Sequence, residues 1–89
     1  MTSFEIIVKS GYRNYRLRVE HIPVNERTER YKVIGKNKSI TLETNRPFFR
    51  NRGLKHRKPE WKIVEGTVFQ GNGLEQIIDK VMEVIDRSV

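Results

Sequence analysis

Apolar and polar residues alternate at both ends of a short break near the start of the chain. Phe4, Ile6 and Val8 point one way and Glu5, Ile7 and Lys9 the other, the period of a half-buried strand. After Ser10-Gly11, Tyr15, Leu17 and Val19 alternate with Asn14, Arg16, Arg18 and Glu20, which predicts a hairpin. Two registers keep the same side chains on the apolar face. A two-residue loop over Ser10-Gly11 sets Phe4 against Leu17 and Ile6 against Tyr15. A four-residue loop over Ser10 to Arg13 sets Phe4 against Val19, Ile6 against Leu17 and Glu5 against Arg18.

Residues 21–29, with Pro23 and the polar run Asn25-Glu26-Arg27-Thr28-Glu29, read as a connector. A second hairpin follows. Tyr31 and Val33 alternate with Arg30, Lys32 and Ile34, and Ile40 and Leu42 with Thr41 and Glu43. With Lys36-Asn37 at its tip, Val33 faces Ile40 and Tyr31 faces Leu42, while Lys32 meets Thr41 and Arg30 meets Glu43. A further strand lies between Trp61 and Val68. Its apolar residues change face along its length, and Gly66 marks a position for a bulge.

The last eighteen residues change period. Leu74, Ile77, Ile78, Val81, Met82 and Ile85 recur at helical spacing, opposite Glu75, Asp79, Lys80, Glu83 and Asp86. Asn72 and Glu75 have the spacing of an N-terminal capping box, and Arg87 suits the negative end of the helix dipole. A helix over about 73–88 is expected, its apolar stripe packed on the sheet. The fold class is therefore α+β: an antiparallel sheet of about five strands, two hairpins plus one further strand, with a single C-terminal helix on one face. Residues 1–89 make one domain.

A helix is roughly 10–12 Å across and strands lie about 4.8 Å apart, so one helix covers two or three strands. The remaining apolar surface calls for a curled sheet or for a second copy, so a homodimer is an expectation.

Charge adds a functional direction. The chain has 18 Lys and Arg against 11 Asp and Glu, a net charge of +7. Residues 72–89 hold two of the bases and four of the acids (−2), leaving sixteen and seven (+9) for residues 1–71. The positive charge belongs to the sheet and its loops, and it favours an anionic partner.

It concentrates in two places. The segment 45–60, framed by Pro47 and Pro59, carries Arg46, Arg50, Arg52, Lys55, Arg57 and Lys58 with no acid before Glu60. It shows no clear strand or helix period and reads as a basic loop, a length usually reserved for function or disorder. Its bases suit phosphates, and Phe48 and Phe49 suit stacking on unpaired bases or anchoring of the loop in the core. The second place is the sheet face away from the helix, which should present Lys9, Arg16, Arg18, Arg30, Lys32 and Lys62, partly offset by Glu5, Glu20 and Glu43. Together the two would form one continuous positive surface. Tyr12 alone stands where an exposed ring could stack, which favours backbone contacts over base-specific readout.

Catalytic and cofactor chemistry lack their usual residues. There is no cysteine, and His21 and His56 stand apart from any metal-ligand spacing. None of the four serines sits in a nucleophile elbow, and Gly71-Asn72-Gly73 is too short for a phosphate-binding fingerprint. No apolar run reaches the length of a membrane span, and Met1-Thr2-Ser3-Phe4-Glu5 does not resemble a signal peptide, so a cytoplasmic protein is expected. The residues predict a non-catalytic module without cofactor or metal. Its partner would be nucleic acid, RNA or DNA without sequence specificity, or else an acidic protein.

Overall fold

The structure, a computed structural model, describes residues 3–10, 12–36, 38–53, 58–66 and 73–87, with the side chains of Ser10 and Arg87 left aside. Asn72, the expected helix cap, lies outside the described residues. Strands β1 (Ser3–Ser10), β2 (Arg13–Pro23), β3 (Glu29–Ile34), β4 (Ser39–Thr44) and β5 (Trp61–Gly66) form one antiparallel meander in chain order. A short helix α1 (Arg46–Asn51) follows β4, and α2 (Gly73–Arg87) packs on the face of the sheet. The α+β architecture is the expected one.

The first hairpin adopts the register with Phe4 opposite Val19 and Ile6 opposite Leu17, and its ladder continues to Ser10 opposite Arg13. The second pairs Val33 with Ile40, Tyr31 with Leu42, Lys32 with Thr41 and Arg30 with Glu43, as the alternation requires. Since facing residues in an antiparallel pair share a side of the sheet, these registers put one apolar row from every strand on the same face. Ile6, Val8, Leu17, Val19, Tyr31, Val33, Ile40 and Leu42 meet Ile77, Val81 and Ile85 of α2 in a single buried cluster. Each fully buried aliphatic side chain contributes about 1.5–3 kcal/mol, so this layer carries the fold.

Three local expectations need correction. The polar connector is shorter than predicted, because β2 runs on to Pro23 and β3 begins at Glu29. Asn25 closes the remaining turn, its Oδ1 accepting the backbone N–H groups of Arg27 and Thr28. The bulge in the last strand lies at Val64, two residues before Gly66: Leu42 faces Ile63 while Thr41 already faces Glu65. Gly66 has a different task. Its φ is +100°, and a Cβ there would stand 2.3 Å from the Ser39 carbonyl oxygen.

The third correction concerns the segment 45–60, which is not a loop throughout. Arg46–Asn51 is helical, with Pro47 in the first turn, where a missing N–H costs nothing. Pro47 is buried, and Asn51 donates to the Glu26 carbonyl in the β2–β3 connection. Helix α1 is therefore tied to the β2–β3 connection.

Candidate nucleic-acid interface

The sheet face opposite α2 displays the predicted bases. Register puts Arg16, Arg18, Arg30, Lys32 and Lys62 on it, with Lys9 on the edge strand, and Glu5, Glu20, Glu43 and Glu65 among them. Several of these charges are already matched. Glu43 lies 3.1 Å from Arg30 on one side and 3.1 Å from Lys62 on the other. Hydrogen bonds from Lys62 first, then from Arg30, hold its carboxyl below the usual range. Glu5 meets Arg16 at 3.4 Å, diagonally to its facing residue Arg18. Among the described residues, Lys9, Arg18 and Lys32 have no ion-pair partner.

Strand lengths create a second feature. β2 pairs with β1 from Arg13 onward, but with β3 only from Arg18. Arg13 to Leu17, with the end of β1, therefore extends past β3 as a two-stranded ribbon, roughly 17 Å along the strand direction. Its tip carries Tyr12, whose ring is completely exposed, and its sides carry Lys9, Arg13 and Arg16. Sequence reasoning singled out Tyr12 and not Arg13. The signal was the eleven-residue β2 beside a six-residue β3.

The basic segment 45–60 is tied at both ends. Asn45 Oδ1 accepts the backbone N–H of Glu60 at 2.8 Å, and Thr44 Oγ1 accepts that of Arg46 at 3.3 Å. Its bases then divide. Arg46 is bound to Asp86 of α2 at 3.2 Å with only 13% of its side chain exposed, so it joins the two helices. Arg50, Arg52 and Lys58 face solvent. The Arg52 guanidinium sits 4.4 Å from the centre of the Phe48 ring, which in turn meets Phe49 edge-on at 5.5 Å. Both phenylalanines are half-buried. Lys55 and Arg57 lie outside the described residues.

These regions do not merge. Helix α1 leaves β4 at the end of the sheet where β3 begins, whereas the ribbon projects past the end where β3 stops. Among the described residues the positive surface is two basic regions at opposite ends of the sheet.

One polar cluster was not anticipated. Glu29, read from the sequence as part of a polar connector, is buried in β3 beside the core. The Tyr31 hydroxyl donates to its Oε2 at 2.5 Å, and His21 Nε2 lies 3.1 Å from its Oε1. The Tyr31 ring also contacts those of His21 and Trp61. Burial first, then the bond to Glu29, pushes the phenol well above its ordinary range, so Tyr31 keeps its proton as donor. The groups satisfy one another, and the cluster acts as a polar joint between β2 and β3. Among the described residues no three His, Asp or Glu side chains are placed to hold a metal ion, and no helix is long and apolar enough to cross a membrane.

No known protein family matches the chain, and no match is found among curated proteins or solved structures.

Proposed function

We propose that the protein is a non-catalytic module that binds nucleic acid through its phosphates. The observation that carries this reading is the group of unpaired bases on and beside the β1–β2 ribbon. Lys9, Arg13, Arg18 and Lys32 have no ion-pair partner among the described residues; Lys9 and Arg13 lie toward the ribbon tip that carries the fully exposed Tyr12 ring, and Arg18 and Lys32 lie at its base. Cations on a projecting ribbon reach phosphates without first giving up a protein partner, and a free tyrosine face suits an unpaired base. Arg50, Arg52 and Lys58 offer a second set of phosphate contacts at the far end of the sheet.

The test is affinity for single-stranded and duplex DNA and RNA across a salt series. Four phosphate contacts on a single strand predict a slope of log affinity against log salt near −3. Replacing Arg18 and Lys32 with Gln should flatten it by about 1.4 units. Replacing Tyr12 with Ala should weaken single-strand binding by about 1–3 kcal/mol at an unchanged slope, the signature of stacking. Replacing Arg50, Arg52 and Lys58 measures the share of the other end. A parent protein that binds no nucleic acid at low salt refutes the reading and leaves an acidic protein as the partner for the same surface.

A further inference from the structure

The two edges of the sheet differ in kind. β5 is preceded by Pro59, broken by the bulge at Val64 and closed by Gly66 at positive φ, features that spoil an edge for further pairing. β1 is regular over all of Ser3–Ser10. The Lys9 N–H points away from β2, since it donates to Gln76 Oε1 of α2 at 3.1 Å. Alternation then turns the N–H and C=O groups of Glu5 and Ile7 outward as well. Neither has a hydrogen-bond partner among the described residues outside the sheet ladder.

The side chains along this edge are self-complementary. Glu5, Ile7 and Lys9 share the face opposite α2, and Ile7 is 51% exposed there. An antiparallel copy of β1 centred on Ile7 sets Ile7 against its own symmetry mate. It also sets Glu5 against Lys9 of the other copy, twice. On the core side it sets Ile6 against Val8, again twice. Glu5 would then lie between Arg16 and a partner lysine, the arrangement Glu43 already has between Arg30 and Lys62.

We infer that β1 is a homodimerisation edge, two copies pairing antiparallel about Ile7 to give one continuous sheet. The occupant is a second copy because the matching charges and apolar residues lie on the same strand. Both faces opposite α2 end up on one side, so Arg18 and Lys32 of the two chains face the same way. Gln76 must release the Lys9 N–H, which becomes one of the inter-strand donors. The inference does not rest on the nucleic-acid reading, and its test uses no nucleic acid.

Sedimentation equilibrium on the full chain should show a dimer at tens of micromolar. Glu5→Lys and Lys9→Glu each set like charges face to face twice, and each should weaken the dimer about tenfold or more. An equimolar mixture of the two variants should recover it as a heterodimer, because opposite charges face each other again. Ile7→Lys should abolish it. All three positions are exposed, so circular dichroism and thermal melts should show every variant folded like the parent. The inference is overturned if the parent stays monomeric at hundreds of micromolar. It is overturned equally if the mixture associates no better than its components. A monomeric parent alongside a dimeric Gln76→Ala variant would also overturn it, and would make Gln76 a guard that keeps the edge closed.

Discussion

The Tyr31 hydroxyl donates to the Glu29 carboxyl over 2.5 Å, between residues left 2% and 4% exposed. A buried acid in a small domain is tolerable only with such partners. Tyr31→Phe keeps the ring packed on Trp61 but strips Glu29 of its strongest donor. It should cost about 1–3 kcal/mol in urea denaturation.

Burial of the Tyr31 phenol, reinforced by this bond, sets an alkaline limit. Because the folded phenol holds its proton to higher pH than an ordinary tyrosine, which titrates at 10.0, the stability it contributes is complete below pH 10. It is lost as pH rises from there toward the folded value. The parent should therefore lose stability above pH 10 more steeply than Tyr31→Phe, in melts recorded at stepped pH.

Glu43 works in the opposite direction. Its carboxyl is depressed by Lys62 and Arg30, so its contribution is present above pH 4.5 and disappears as pH falls through the lowered value. Glu43→Gln should flatten the acid limb of the stability profile. It also releases two bases on the candidate interface. If the nucleic-acid reading holds, affinity should rise and the salt slope should steepen by about 1.4 units.

Gly66→Ala should destabilise the domain by about 1–3 kcal/mol from the backbone conformation alone. The contact with Ser39 adds to this, since a Cβ there has no flexible neighbour to displace. The measurement is a denaturation midpoint. A melt identical to that of the parent would show that β5 leaves the sheet at its last residue.

Along α2 the stripe is graded. Val81 is wholly buried and Ile78 only partly so. Val81→Asp should unfold the domain, while Ile78→Asp should leave a weakened but cooperative transition by circular dichroism.

The parts of this fold that were legible in the sequence are those governed by period and by neighbours. The pairing of Val33 with Ile40 and Tyr31 with Leu42 follows from alternation across a short turn, and the α2 stripe follows from helical spacing. Helix α1 was illegible because six residues are too few to display a period, and Pro47 resembles a breaker unless its place in the first turn is known. Glu29 was misread because one partner, His21, comes from β2 across the pairing with β3, and the other, Tyr31, shares its face only once residues 29–31 are extended as a strand. The candidate interface was half legible. Register placed Arg18 and Lys32 on the open face, but composition does not tell which bases are consumed by Glu43, or that Arg46 is spent on Asp86.

The order of the meander has a consequence for how the chain acquires its structure. Each strand pairs with the one just before it, so the sheet can grow as residues are added, with little loop-closure entropy to overcome at any step. The exception is the docking of α2 on β1, which joins opposite ends of the chain, as the bond from Lys9 to Gln76 across 67 positions records. During synthesis Ile6 and Val8 have no cover from α2 until the residues around Ile77 and Val81 have been made. The first strand to form is thus among the last to be protected, and a nascent chain arrested before α2 would expose an apolar sheet beside a free strand edge.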